Sequence, residues 1–342
     1  MDWSRGFTSS FYATFIDPDS WGDRERFEIT GGSVRKSDDS LKQSASINCV
    51  NYQNFDEQWI RIWMDCSQEG GGAHEPIFTG LAMNPSKNFH GRYETNSLTC
   101  YSVLKPVDDV LLPKGWYIYE GADVKENILD LLKPTKAPII FDEEPTWLTQ
   151  TLIAEQGETN LSMVEWILTV IGWRMMPDGY GRIHISPQDI DDNGDVVKIA
   201  SSFHTTDNDI LEMDLSVEND WFGSPNVFRA ISGDVMAIAK DEDESSPYSI
   251  PSRGREIWME ESDCVLDSED TLADYAARRL REEQSCTYKI SYTRRYEPDV
   301  NVYDVVQIHY PEIAVDGLFL ITSQTIELGK SAVTSEEAYM VG

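Results

Sequence analysis

Hydrophobic residues alternate with polar residues in stretches at both ends of the chain, and this period of two limits the possible folds more than any other feature. Such alternation is typical of β-strands, in which successive side chains point to opposite faces. It is clearest in EQWIRIWMDC. One face of this predicted strand carries Ile60, Ile62, Met64 and Cys66. The other face carries Trp59, Arg61, Trp63 and Asp65.

Further strands are predicted around this one and again near the end of the chain. The early strands are RFEITGG, ASINCVNY, PIFTGLAM and ETNSLTCYSVL, and the late strands are SCTYKISYTRR, DVVQIHY and GLFLITSQTIEL. Glycine pairs and an Asn-Pro step separate the early strands, as turns require. Many short strands at this spacing predict an antiparallel barrel or sandwich at each end.

The middle of the chain changes to a helical period. In GADVKENILDLLKP one face carries Val124, Ile128, Leu131 and Leu132. A second helix is predicted to begin at Thr159 or Asn160 and to end near Gly172. Its apolar stripe is Leu161, Val164, Ile167, Leu168 and Ile171. The segment GYGRIHISP then predicts a strand, so we expect a small α+β module here.

The resulting fold class is mainly β with a smaller α+β module, in which two antiparallel β-barrel-like domains flank a helix-containing domain. We expect the first β-domain over residues 1–119, the module over 120–215 and the second β-domain over 216–342, with discontinuous domains allowed. The last region includes an acidic segment, 239–256, expected to be an exposed loop. It also includes a helix over 268–284 that Asp267 or Ser268 would cap.

Charge excludes two classes of partner. The formal net charge is −32, from 60 acidic and 28 basic residues. Such a chain repels a phosphate backbone and an anionic membrane surface, so we expect no stable nucleic-acid binding and no membrane insertion. The first residues lack the apolar core of a signal peptide. Five widely spaced cysteines predict buried thiols in a reducing compartment.

The segment DIDDNGD most resembles a binding motif. Asp189, Asp191, Asn193 and Gly194 match positions 1, 3, 5 and 6 of an EF-hand loop. Position 12 is Ala200 instead of the required Glu, and a strand precedes the segment instead of a helix. We therefore interpret it as an acidic turn and predict no metal, no cofactor and no catalytic residues. The pairs Arg294-Arg295 and Arg253/Arg255 are expected to form ion pairs.

The strand with Trp59, Arg61 and Trp63 is the candidate for a subunit interface, since Trp and Arg are enriched at such contacts. The alternative is a strand covered on both faces within one chain. Exposed Trp side chains could also stack on sugars, so a carbohydrate-binding adhesin stays open, as does a cell-wall hydrolase.

Several segments together resemble a known family. RFEITGGSVRKSDDSLKQSASINC, EPIFTGLA and YEPDVNVYDVVQIHYP followed by GLFLITSQTIEL resemble baseplate hub proteins of phage tails, the late-control D-like family. Relatives occur in tailocins and contractile injection systems. The last of these segments carries the strongest part of the resemblance, and the whole extends from about Phe27 to Leu328.

The resemblance implies a non-enzymatic virion protein, assembled in the host cytoplasm and located in the tail. Such hubs form homotrimers at the distal end of the tail tube. Each subunit supplies two tube-like domains, so that six similar domains form a ring through which DNA passes. The implied partners are a tail tube or distal tail protein, a central spike or fibre protein, and other baseplate proteins.

Overall fold

The computed structural model describes residues 1–3, 5–50, 57–90, 93–190, 196–204, 216–219, 222–262, 269–285, 288–311 and 315–341. Over these ranges the chain is predominantly β, with a smaller helical part, which confirms the expected fold class.

The first six strands form a closed barrel. They are β1 Thr8–Ile16, β2 Asp23–Ser37, β3 Gln43–Val50, β4 Gln58–Gln68, β5 Gly71–His90 and β6 Tyr93–Ser102. Their order is β1-β4-β5-β6-β3-β2, all antiparallel, and β2 returns to pair with β1. The predicted alternation of β4 holds, because Ile60, Ile62, Met64 and Cys66 lie in the barrel core.

A helical module follows the barrel. Its elements are α1 Lys105–Asp108, β7 Tyr117–Ile118, α2 Val124–Leu131, β8 Ile139–Phe141, β9 Leu152–Ile153, α3 Asn160–Val170, β10 Trp173–Pro177 and β11 Ile183–Pro187. Asp123 caps α2 and Thr159 caps α3, the latter through a reciprocal bond pair with Ser162. The predicted apolar faces of both helices supply much of the module's buried core.

The remaining elements form a second sheet that a small unit interrupts. In chain order they are β12 Ser201–His204, β13 Ser216–Asn219, β14 Val227–Ser232, β15 Val235–Lys240, α4 Ile250–Arg253, β16 Trp258–Glu261, α5 Glu269–Ser285, β17 Tyr288–Arg295, β18 Val305–Tyr310, β19 Val315–Glu327 and β20 Val333–Met340. Strands β14, β15 and β16 form a separate three-stranded sheet, against which α5 packs through Leu272, Ala276 and Leu280.

The acidic segment 239–256 differs from the loop expected there. It includes the end of β15 and all of α4. Ser249 is buried and caps α4, while Asp241 and Asp243 accept hydrogen bonds from nearby backbone amides. Local capping by Ser and Asp side chains accounts for order in so acidic a stretch. The predicted cap of α5, Asp267 or Ser268, lies outside the described residues.

The second sheet repeats the strand order of the first barrel. Its six strands, taken in chain order, are β12, β13, β17, β18, β19 and β20, and their spatial order is first-fourth-fifth-sixth-third-second. The barrel has this same order. One pair differs from the antiparallel expectation, because β12 and β18 run parallel. Among the described residues β12 and β13 do not pair, so the second sheet is open where the first is closed.

The register repeats as well as the order. A row of paired residues crosses the second, third, sixth and fifth strands of each sheet. In the first sheet this row is Arg35, Ser44, Tyr101 and Leu81. In the second sheet it is Glu218, Lys289, Tyr339 and Leu320. Both fifth strands then carry a β-bulge just beyond the row.

Strand β2 joins the two sheets into one. Residues 23–28 of β2 pair with β1, and residues 33–37 pair with 323–327 of β19 along the same edge. The change of partner follows Gly32, where φ is +142° and a Cβ would lie 2.1 Å from the Ser46 carbonyl oxygen. Only glycine fits this position. The sequence predicted a turn at this glycine pair, but Gly31 and Gly32 both lie within the strand.

Some contacts cross the domain limits drawn from the sequence. Val103, Leu104 and Val107 belong to the core of the helical module, and β12 pairs with β18 in the second sheet. The boundaries at 119/120 and 215/216 stay predictions. Cys49, Cys66 and Cys100 are free and buried, whereas Cys264 and Cys286 lie outside the described residues.

A fully buried ion pair lies inside the second sheet. Arg294 on β17 donates two hydrogen bonds to Glu336 on β20, at 2.9 and 2.6 Å, and neither side chain is accessible to solvent. Gln324 on β19 donates to the same carboxylate at 2.7 Å. The expected ion pairing of Arg294 is therefore found within one chain, across three neighbouring strands.

Removing one partner of this pair should be costly. Glu336→Ala leaves the Arg294 guanidinium buried without its carboxylate, so we expect the free energy of unfolding to fall by about 3–5 kcal/mol. Glu337→Ala on the same strand removes only a surface pair with Lys289, for which a loss below about 1 kcal/mol is expected. Urea denaturation followed by tryptophan fluorescence measures both. Equal losses would contradict a special role for the buried pair.

Candidate assembly junction

The outer face of β4 lies against the helical module. Arg61 is 3% exposed and Trp63 is 8% exposed, whereas Trp59 is half-buried against the module's core. Both faces of β4 are therefore covered within one chain at Arg61 and Trp63, which is the alternative that the sequence left open. A contact of this strand with a neighbouring subunit stays a prediction.

Arg61 connects three parts of the chain. Its Nη1 donates to Asp23 Oδ2 at 2.6 Å, and its Nε donates to Thr79 Oγ1 at 3.0 Å. Its Nη2 donates to the Tyr180 carbonyl oxygen at 3.1 Å, in the turn between β10 and β11. Burial lowers the pKa of Arg61, and the Asp23 carboxylate opposes this shift. The guanidinium therefore holds the barrel wall to the module.

Trp63 strengthens the same contact. Its indole Nε1 donates to Asp23 Oδ1 at 3.1 Å, and its ring stacks on His74 with centroids 4.3 Å apart. Tyr180 from the module meets the Trp63 ring edge-on at 5.8 Å. Buried aromatic rings with a polar group that finds a partner are strongly stabilising.

The turn between β10 and β11 approaches the barrel so closely that no residue larger than glycine fits at two of its positions. A Cβ on Gly179 would lie 1.8 Å from the Pro76 carbonyl oxygen, and one on Gly181 would lie 2.8 Å from Thr79 Cβ. Gly181 also has φ of +75°. Backbone is therefore packed directly on backbone at this point.

A second group of polar contacts joins the barrel, the helical module and the second sheet. Lys36 Nζ donates to Asn301 Oδ1 at 2.6 Å. Lys42 Nζ forms an ion pair with Glu165 of α3 at 2.9 Å and donates to Tyr303 Oη at 3.0 Å. Burial lowers the pKa of Lys36 to about 8. The three units therefore share buried cations at their common junction.

Arg174 on β10 completes this group. It forms ion pairs with Asp189 at 3.0 Å and with Asp304 at 3.6 Å, and it donates to the Tyr303 carbonyl oxygen. Asp189, the first position of the EF-hand-like segment, is thus engaged by an arginine. Asp191, Asn193 and Gly194 lie outside the described residues.

A cavity of about 390 Å³ lies between the three units. Its charged lining is largely paired: His184 Nδ1 lies 3.2 Å from Asp142 and its Nε2 lies 3.4 Å from Asp178. The hydrogen bond to Asp178 raises the pKa of His184, while burial opposes the shift. Both carboxylates therefore already have hydrogen-bond partners, and Asp178 also pairs with Arg182, which is the pattern of a structural junction.

Neither a metal-binding cluster nor a membrane-spanning helix is found in the described part of the chain. No group of three or more His, Cys, Asp or Glu residues there is placed to hold a metal ion. None of the helices in the described ranges has the length and apolar character that crossing a bilayer requires.

Sequence reasoning found Arg61 and Trp63 but not their partners. Asp23 and Tyr180 are distant in sequence from Arg61, as Asn301 is from Lys36, and no local pattern marks these partners. The one available signal was the pairing of large polar and aromatic residues on the face of β4 opposite the barrel core. That signal indicates a covered face without indicating what covers it.

Removal of Asp23 tests the Arg61 contact. In Asp23→Ala the buried guanidinium loses its carboxylate and Trp63 loses an acceptor, so we expect a destabilisation of about 2 kcal/mol. Asp19→Ala, which removes an exposed pair with Lys136, is the matched control and should cost less than about 1 kcal/mol. Urea midpoints measure both. An unchanged midpoint in Asp23→Ala, combined with weaker oligomerisation, would instead place this group at a subunit contact.

The low pKa of Lys36 predicts a dependence of stability on pH. The folded chain releases this proton near pH 8, whereas the unfolded chain holds it up to about 10.5. The unfolded state therefore binds more protons in this window, and folding stability rises with pH. Relative to Lys36→Met, the wild-type chain should gain up to about 3 kcal/mol between pH 8 and 10.5. Urea titrations across the window measure this, with the exposed Lys133→Met as the charge-removal control, and a flat difference would contradict it.

Comparisons with known proteins support the architecture through structure alone. No protein-family profile and no curated protein matches the sequence. A tail protein from Neisseria meningitidis MC58 has a TM-score of 0.72 at 12% identity, over 98% of this chain and 97% of that one. The 43 kDa tail protein of prophage MuSo2 from Shewanella oneidensis has a TM-score of 0.69 at 12% identity, with the same coverage.

A third similar structure comes from a secretion system. It is an E. coli protein described as a component of the type VI secretion system with structural similarity to the T4 tail proteins gp27 and gp5. Its TM-score is 0.51 at 12% identity, over 92% of this chain and 74% of that one. The chain therefore has the fold of phage tail proteins, which is the fold that its resemblance to baseplate hub proteins implied.

Proposed function

We propose that the chain is a structural baseplate hub of a phage tail or tailocin. In this role it forms a trimeric ring that joins the tail tube to a central spike or fibre. The observation that carries the proposal is the repeated strand order of the two sheets, together with their direct junction through β2 and β19. A chain with two similar sheets side by side supplies two of six similar positions in a ring.

The presence of two similar sheets in one chain allows a trimer to match partners of different symmetry. Three copies present six similar sheets to a sixfold tube on one side, while the ring as a whole keeps the threefold symmetry of a spike or fibre on the other. The unit formed by β14–β16, α4 and α5 interrupts only the second sheet. It therefore occurs three times in the ring and is suited to a threefold partner.

Two further properties support a structural role. Arg174 and His184, which line the junction cavity, pair with carboxylates there, as in a fixed contact between units. The net charge of −32 would repel DNA from the ring, so that it passes without adhering. The tail proteins with similar folds agree with a place in a tail.

The proposal is tested on tail particles from the organism that encodes the chain. Antibodies raised against the purified chain should label the distal tip of tails in negative-stain electron micrographs, and the purified ring should have three times the 38.9 kDa chain mass by light scattering. Absence of the chain from purified tails would contradict the proposal. Digestion of purified cell wall by the chain would contradict a purely structural role.

A further inference from the structure

The pairing that joins the two sheets within the chain uses two strand edges, and each of these edges has a counterpart in the other sheet. Inside the chain, the second strand of the first sheet pairs with the fifth strand of the second sheet, through 33–37 of β2 and 323–327 of β19. Each sheet has a second and a fifth strand, so one of each is not used in this junction. They are β13, the second strand of the second sheet, and β5, the fifth strand of the first sheet. Neither equivalent edge has a partner among the described residues.

Strand β13 ends the combined sheet. One edge of Ser216–Asn219 pairs with β17, and the opposite edge is without a strand partner in the described part of the chain. By register, these residues correspond to 33–36 of β2. Ser33 pairs with Ser46 of β3 as Ser216 pairs with Ser291 of β17. The free edge of β13 is thus the edge that β2 uses to hold β19.

Strand β5 extends beyond its neighbour in the same way as β19. Its pairing with β4 ends at Ala82, whereas its pairing with β6 continues to His90. In β19 the pairing with β18 ends at Leu320, and the following residues along that edge pair with β2. In β5 the corresponding stretch is 83–88, whose outer edge has no strand partner among the described residues.

We propose that β13 of one subunit pairs with residues 83–88 of β5 in the next copy of the chain. The pairing is antiparallel and repeats the internal junction between β2 and β19. In the internal junction Arg35 pairs with Thr325, and Ser33 pairs with Glu327. Glu218 and Ser216 of β13 correspond to Arg35 and Ser33, while Ser86 and Asn88 of β5 correspond to Thr325 and Glu327. The proposed contact therefore places Glu218 opposite Ser86 and Ser216 opposite Asn88. The inference rests on the proposed ring, because six similar sheets can occupy similar positions in it only if the junctions within a chain and between chains are alike.

The physical reason is the cost of an unpaired strand edge. A row of free backbone donors and acceptors is a template for another strand, and natural proteins normally cover or pair such edges. Two different edges meet in this contact, so it is head-to-tail and generates a ring when the rotation closes. The proposed contact is formed by backbone hydrogen bonds. The internal junction and the contact between subunits can therefore have the same geometry although their side chains differ.

Paired cysteines test the register directly. In a Cys264→Ser/Cys286→Ser background, Ser216→Cys and Asn88→Cys are combined in one chain and oxidised with copper phenanthroline. Opposed residues of an antiparallel pair have Cα atoms about 4.5–5.5 Å apart, within the range of a disulfide. We expect non-reducing gels to show covalent dimers and trimers, with no larger species. Thermal melts matching the background chain establish that each variant is folded.

Three outcomes would overturn the inference. The first is a cross-linked dimer from either cysteine alone, which would mean a symmetric contact of identical strands. The second is an equal yield from the control Ser216→Cys/Glu69→Cys, whose second cysteine lies in the turn that precedes β5, far along the strand from residues 83–88. The third is no cross-link in a sample that light scattering shows to be trimeric, which would leave the proposed ring standing and remove this contact from it.

If the purified chain is monomeric in solution, the proposed pairing is tested within the tail instead. The same variants are incorporated into tail particles and oxidised there, and the ladder ending at the trimer is again expected. Particles that contain the chain but give no ladder would overturn the proposed pairing, whereas particles that lack the chain would overturn the proposed function. Hydrogen exchange adds a readout without substitutions, because amides in 83–88 and 216–219 should exchange more slowly in the oligomer.

Discussion

The backbone pairing of β2 with β19 determines how the rest of the molecule is arranged. It places two six-stranded sheets edge to edge in one continuous sheet, although the paired residues are almost 300 positions apart. The pairing also brings Ile326 and Leu328 into the core of the first barrel. Residues within and just after the stretch of β19 that pairs with β2 therefore contribute to the core of the first barrel.

Buried cations link the first barrel, the helical module and the second sheet to one another. Arg61, Lys36, Lys42 and Arg174 each reach from one unit to another and find carboxylates, carbonyl oxygens or hydroxyls there. A buried charge is tolerated only where its partners are well placed, so such contacts favour one arrangement over all others. The chain has few basic residues, and committing these to internal contacts leaves its surface more acidic than its composition alone suggests.

Local features of the fold were predictable from the sequence, and long-range features were not. The alternation of β4, the apolar faces of α2 and α3 and the cap at Thr159 follow from spacing, because each depends on neighbours a few residues away. The parallel pairing of β12 with β18 and the covering of Arg61 by Tyr180 depend on strands and turns brought from elsewhere. In 239–256 the acidic composition suggested a loop, whereas individual caps at Ser249, Asp241 and Asp243 decided the structure.

The repeat is carried by strand order and register, and only a few positions share residue types. Tyr101 corresponds to Tyr339 and Leu81 to Leu320 in the aligned rows, whereas Arg35 corresponds to Glu218 and Ser44 to Lys289. Backbone hydrogen bonds do not depend on side-chain identity, so a pairing edge can persist while the exposed surface changes. The two sheets of one chain can then keep a common edge for joining and carry different attachments, with the insertion between β13 and β17 belonging to one sheet alone.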